Sequence, residues 1–297
     1  MCTGERYKMN SENWFSQIKE DKIYHYTGEL ALSHLVLGED LLLTHFTNQN
    51  DCAELKYGRA IFDKSISEII PERFQNYRES LRYLWNIKQC SDNCFTFSFS
   101  TKKDMVSLWA LYASNGGYSI EFSSAKIKEL FKKFIKNNKR TEKVKLSGLR
   151  YAEIEDKFHF DYCCYDKVQS AGSCCNFVKS LLSNIYATRK MDDEIEVALQ
   201  LLCIQEHIIP FFKHRSFADE SEIRIACSGA YLNQRAKNID GKLRFPLFPV
   251  CDAITKVIVS PHGNSAKLYD TAVTLRKKSG LDFEIEKSDS TYRIKIR

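Results

Sequence analysis

Glycine and proline are scarce, with 12 Gly and 5 Pro in 297 residues. That scarcity excludes collagen-like, low-complexity and linker-dominated chains. Long apolar runs are also missing. No stretch approaches the ~20 apolar residues needed to cross a bilayer. The first 20 residues, MCTGERYKMNSENWFSQIKE, hold no apolar core of signal-peptide length. These absences point to a cytoplasmic chain with no membrane partner. A large excess of one charge is lacking too: 44 Lys and Arg stand against 38 Asp and Glu, a net +6. What is present is 43% hydrophobic residues, with 15 Tyr and 19 Phe, enough for a sizeable core.

Cysteine is the exception to this sparseness, at 11 residues, an odd number. Cys163, Cys164, Cys174 and Cys175 form the one dense cluster. Structural zinc sites use pairs separated by two to four residues, and adjacent cysteines do not easily face one metal. The others, such as Cys203 and Cys227, sit in apolar segments, where Cys acts as a small buried hydrophobe. No Cys–His–Asn thiol-hydrolase pattern is visible. The expectation is buried structural cysteine and no metal.

The positive charge is concentrated. From Lys126 to Lys145, KIKELFKKFIKNNKRTEKVK, nine residues are basic and two acidic. Ile127, Leu130, Phe131, Phe134 and Ile135 recur at helical spacing, so this is an amphipathic helix with a basic face. Such a face is either simply solvated or tracks a polyanion.

Strand signals dominate both ends of the chain. Ile23 to Thr27, Leu41 to Thr44, Asn93 to Thr101, YSIEF at 118–122, the second half of FFKHRSFADESEIRIACSG, LRFPLFPV, KVIVSP and a final FEIEK all read as strands. Helices are expected from Gly28 to Gly38, Ala53 to Ile69, Pro71 to Ile87, Asp104 to Ser114 (capped by Asp104) and about Ser265 to Ser279. The stretch from Leu149 to about Pro210 also reads as helical. The plan is α+β: one domain over 1–297, a mixed or antiparallel sheet, and a mostly helical insertion at about 124–210.

Four segments put polar residues where sites are built. In Tyr24-His25-Tyr26-Thr27, strand alternation places the two tyrosines on one face and His25 with Thr27 on the other. Thr47 to Asp51 is a polar loop, and Asp51 with Glu54 has capping-box spacing. Ser98-Phe99-Ser100-Thr101 is followed by a helix carrying Trp109 and Tyr112, which could sandwich a flat ring or pack in the core. In Lys213 to Arg224, Glu220, Glu222 and Arg224 alternate on one strand face. They could be an exposed salt-bridged face or a catalytic carboxylate pair.

These pieces, in order, resemble the bacterial DUF2971 family, a domain of unknown function. The matching pieces are YHYTGELALSHLVLGEDLLLTHFTNQNDCAE, CFTFSFSTKKDMVSLWALYASNGGYSIEF, FFKHRSFADESEIRI, and KVIVSP with SDSTYR near the C-terminus. That family in turn looks like a distant ADP-ribosyltransferase. The resemblance implies a split sheet that clamps NAD as co-substrate and a first-strand His25. It also implies an aromatic or hydroxyl motif around Ser98, Trp109, Tyr112 and Tyr118, and a late-strand Glu222. Here Ser98-Phe99-Ser100-Thr101 stands where a clearer relative has an S-T-S triplet. Tyr26 and Thr27 would join the NAD contacts, and Glu220 would orient the acceptor. Acceptor or nucleic-acid contacts would fall to Asn50, Lys213, His214, Arg224, Lys132 and Lys133. The implied function is transfer of ADP-ribose to RNA, DNA or protein, as a toxin or phage-defence effector held by an antitoxin or inhibitor protein. The alternative is a non-catalytic nucleic-acid or nucleotide-binding module of the same fold. A hydrolase with Asp51, Glu54, Glu220 and Glu222 around a metal lacks any metal-ligand spacing.

Overall fold

The computed structural model describes residues 18–49, 56–61, 64, 94–138, 141–147, 150–155, 157–165, 209–229, 232–261 and 264–291. Most of the two helices expected between 53 and 87, together with Asn50, Asp51, Glu54, Cys174 and Cys175, lies outside these residues.

Alternating apolar residues build a mixed sheet of ten strands among the described residues. Its path runs β11 (Lys237–Ile239), β12 (Lys242–Pro249), β2 (Asp40–His45), β3 (Cys94–Ser100), β1 (Lys22–Thr27), β4 (Tyr118–Ser123), β13 (Ile254–Val259) and β14 (Glu284–Lys287). Two more strands branch off β3: β10 (Glu222–Ser228) pairs with it along its length, and β7 (Lys157–Tyr162) pairs with β10. All these pairings are antiparallel except β13 with β14. That parallel pair is joined by helix α5 (Ser265–Ser279), as a parallel connection requires. Short pairs of β5 (Thr141–Ser147) with β6 (Arg150–Glu155), and of β8 (Cys164–Tyr165) with β9 (Phe212–Lys213), complete the strands.

Further helices among the described residues are α1 (Glu29–Val36), α2 (Val106–Tyr112), α3 (Ser124–Asn138) and a single turn α4 (Leu232–Arg235), and residues 56–61 are also helical. Helix α3 is the basic one, but it is shorter than expected: it ends at Asn138, and Thr141 to Lys145, read as its continuation, belong to strand β5. The helix buries Ile127, Phe131 and Phe134 and leaves Lys132 and Lys133 exposed. Phe131 and Phe134 meet Phe158, Phe160, Phe245 and Phe248 at centroid distances of 5.6–6.5 Å. Each such ring contributes about 1.5–3 kcal/mol by burial, plus edge contacts. Helix α2 packs differently. Its Leu108 and Trp109 form a small core with Tyr24, Tyr26 and Ile258.

Three further expectations change here. Of the stretch from Leu149 to about Pro210, residues 166–208 lie outside the described residues, and 150–155, 157–162 and 164–165 are not helical. These run as strands, and β7 belongs to the main sheet because Phe158, Phe160 and Tyr162 alternate against the core. Helix α2 begins after Met105 without a side-chain cap. Asp104 instead receives the Trp109 indole N–H, the Ser288 hydroxyl and the Asp289 backbone N–H, which ties the C-terminal stretch to this helix. Glu220 does not lie on the strand. It ends a 3-10 turn (Arg215–Glu220), and the strand starts at Glu222 after Ser221 adopts a left-handed φ of 44°.

Buried Cys94, Cys163 and Cys227 sit among core or strand residues. No helix among the described residues is long and apolar enough to cross a membrane.

Candidate functional site at the fork of the sheet

The decisive local feature is that β3 has two different neighbours on one side. Phe95 and Thr96 pair with β2, whereas Ser100 pairs with β1. The sheet therefore forks, and Phe97 and Ser98 lie at the vertex. A cleft of about 980 Å³ opens there, lined by β1, α1, β2, the middle of β3, the end of α2, the 3-10 turn at 215–220 and the β11–β12 hairpin. A smaller cavity of about 50 Å³ adjoins it, shared by His25, Ser98, Tyr112, Glu220 and Glu222 among others.

His25 stands at the vertex. Its Nδ1–H donates to the Ser98 carbonyl at 2.8 Å, a backbone acceptor that the parting strands leave open. Its ring stacks on Phe97 at 4.3 Å. Burial pushes the imidazole down to about 4, and the bond to Ser98 offsets only part of that. At neutral pH the ring is therefore uncharged, with Nδ1 donating and Nε2 left as an acceptor. Thr27 lines the same cleft, and Tyr24 and Tyr26 face the other way.

A buried charge network forms the opposite wall. Lys213 Nζ lies 2.6 Å from both Glu220 Oε2 and Glu222 Oε2. Arg224 Nε and Nη2 each approach Glu222 Oε1 at 2.7 Å, and Arg224 Nη1 donates to the Pro210 carbonyl. Tyr112 donates its hydroxyl to Glu220 Oε1 at 3.1 Å. Lys213, Glu220, Glu222 and Arg224 are all at least 94% buried. Each carboxylate faces at least one cation, the condition under which such groups tolerate burial. Desolvation raises the Glu222 carboxyl, but Arg224 and Lys213 overcome it and hold it at about 2. Burial and the Glu220 carboxylate push the Tyr112 hydroxyl well above its ordinary range.

The left-handed Ser221 explains how both carboxylates reach one lysine. It turns the chain sharply between the 3-10 turn and β10, while Ser100 Oγ–H holds the Glu220 carbonyl at 2.7 Å. An exposed salt-bridged strand, one of the sequence readings, is thereby replaced by an interior network.

The remaining expected contacts divide. Ser98, Thr27 and Tyr112 line the cleft. Trp109 is fully buried, edge-on to Tyr26 at 4.8 Å, so it packs the core and does not face a ligand. Tyr26 is committed to the Lys102 carbonyl and the Met105 N–H, and Tyr118 to the Leu268 carbonyl. Both are core residues that sequence alternation alone did not separate from ligand contacts. Lys213 and Arg224 reach the cleft wall but are engaged by the two glutamates. His214 is exposed and caps the 3-10 turn, and Lys132 and Lys133 lie on α3, away from the cleft lining. Sequence reasoning missed Phe97, Phe217, Leu30, Leu111, Asp240 and Arg244, all of which line the cleft. Arg244 had a visible signal, a lone cation in the alternating apolar strand LRFPLFPV.

Residues 108–225 match a family model. Its description is protein of unknown function, DUF2971. The matched stretch runs from α2 through β10 and takes in Tyr112, Lys213, Glu220, Glu222 and Arg224. It also takes in the region around 125–200, which the sequence resemblance did not cover, and it stops short of His25 and the C-terminal SDSTYR. No curated protein and no solved structure matches the chain.

Proposed function

We propose that this chain is an NAD-dependent ADP-ribosyltransferase of the toxin or phage-defence kind, with a nucleic acid or protein as acceptor. The observation that carries the reading is the meeting of His25, Tyr112 and the Glu220–Glu222 pair at the fork of a split sheet.

The chemistry suits these groups. The bond from the ribose C1′ to nicotinamide breaks, and its electron pair neutralises the pyridinium nitrogen. Positive charge develops on the ribose, and a nearby carboxylate stabilises it. An acceptor nucleophile then bonds to C1′ and passes its proton to that carboxylate. Neutral His25, acceptor at Nε2, suits a ribose hydroxyl. Tyr112, 38% exposed, is the tyrosine at the cleft able to stack on a flat ring, and Phe97 and Phe217 also line it.

The geometry exchanges the two glutamate roles that the resemblance implied. All four carboxylate oxygens are engaged, those of Glu222 by Lys213 and Arg224 and those of Glu220 by Lys213 and the Tyr112 hydroxyl. Of the two, however, only Glu220 lines the large cleft, and its Tyr112 partner is a neutral, part-exposed group that a ligand can displace. Glu220 is therefore the carboxylate that meets the sugar, and Glu222 positions the two cations behind it.

The test is incubation with NAD labelled in the ADP-ribose half and a mixture of bacterial RNA, DNA and protein. Label should enter one fraction and free nicotinamide should appear. Glu220→Gln should abolish both while NAD binding persists; full turnover in that variant overturns the assignment. The engaged state of Glu222 favours a second reading, a nucleotide-binding module without chemistry. It predicts NAD binding with no nicotinamide release.

A further inference from the structure

The far arm of the cleft holds an arginine, Arg244, whose buried Nε has no hydrogen-bond partner among the described residues. No ion pair reaches it among the described residues, although Asp240 lines the same arm. Arg244 is half-buried, so its charge keeps some solvent, but its guanidinium offers a planar fork of donors towards the cleft with no carboxylate paired to it among the described residues. A bound anion would take up those donors.

Strand register supplies further donors. Arg244 pairs with Thr44, and Thr44 pairs with Thr96, so the three lie in one row across β12, β2 and β3. Gln49 Nε2 donates to Thr96 Oγ1 at 2.6 Å, which leaves the Thr96 hydroxyl hydrogen uncommitted. The opposing carboxylate, Asp240, is exposed at the Asp-Gly turn of the hairpin, where solvent screens it. Along β3 the row of Arg244 is four residues from the row of Glu222, or about 13 Å. Arg244 itself stands two strands to the side of β3, about 10 Å. The anion therefore binds well away from the carboxylates, as the phosphates of an extended nucleotide would.

We propose that Arg244, with Thr44 and Thr96, forms a phosphoryl-anion subsite that holds the diphosphate of a nucleotide laid along the fork. The inference rests on the transferase reading only for the identity of that nucleotide as NAD.

Calorimetric titrations of the full chain with ADP, adenosine and pyrophosphate test it. ADP should bind at least about ten-fold more tightly than adenosine. Arg244→Gln should remove that advantage and leave adenosine affinity unchanged. Arg244→Lys should retain part of it, since a point charge replaces a fork. Folding of each variant is checked by its thermal transition. An ADP affinity equal to that of adenosine in the native chain, or unchanged by Arg244→Gln, overturns the subsite. If Arg244 governs ADP binding but labelled NAD is never consumed, the subsite stands and the transferase reading falls. If Arg244→Gln turns over NAD with an unchanged KM, the subsite falls and the transferase reading stands.

Discussion

Lys213 is the residue on which the buried network depends. Its ammonium is the shared partner of Glu220 and Glu222, at 2.6 Å from each. Removing one member of a buried ion group leaves uncompensated charge, typically a loss of about 3–5 kcal/mol. Lys213→Met should therefore lower the unfolding free energy by that order in denaturant titration, despite its similar length. Adding Glu220→Gln should recover part of the loss, because Glu222 keeps Arg224 and the carboxylate that lost its lysine is then neutral. Strict additivity of the two substitutions would mean that the residues do not interact. The sequence brought Lys213, Glu220, Glu222 and Arg224 into view as a cluster. It left open whether they were exposed or buried, because polar alternation is the same in both cases.

At the scale of elements, the cleft depends on how closely β4 approaches the end of β1. Gly117 precedes β4, and a Cβ placed there would come within 2.3 Å of the Thr27 carbonyl and 3.0 Å of Ala113 Cβ. Thr27 is a cleft residue, so backbone would have to move at the mouth of the fork. Gly117→Ala should cost about 1–3 kcal/mol as overpacking. It should also weaken the proposed nucleotide binding, whereas Gly28→Ala, with open space around its Cβ, should change neither by a comparable amount. Most single elements were legible in sequence, since β1, α1, β2, β3, α2, β4, α3, β10, β13, α5 and β14 lie where their periodicity put them. The strands between 150 and 165 were not. Runs such as KFHFDY and the cysteine pair beside them are short, and their apolar residues fit helical and strand spacing alike.

For the whole molecule, pH couples the site to stability. His25 is held below its ordinary value, at about 4, so the folded chain binds this proton less readily than the unfolded chain. Its contribution is complete above about pH 6.5 and is lost as pH falls towards 4. Glu222, held at about 2, likewise contributes above about pH 4.5 and loses that contribution as pH falls through 2. Glu121 and Glu286 are lowered in the same direction, despite desolvation, by their hydrogen-bond and lysine partners. Unfolding free energy measured against pH should therefore decline in two stages, and His25→Asn should remove the first. A flat profile between pH 6.5 and 4 in the native chain would show that His25 is not buried as described. By itself the sequence determined the α+β class, the amphipathic α3 with its basic face, and the residue types of the candidate site around His25, Tyr112 and Glu222. Local periodicity and charge spacing are enough for those. Only the tertiary structure decided that β3 forks between β1 and β2, that Trp109 and Tyr118 are core, that Glu220 faces the cleft ahead of Glu222, and that Arg244 comes to line its far arm. Each of those depends on strands distant in the chain pairing side by side, which no local pattern encodes.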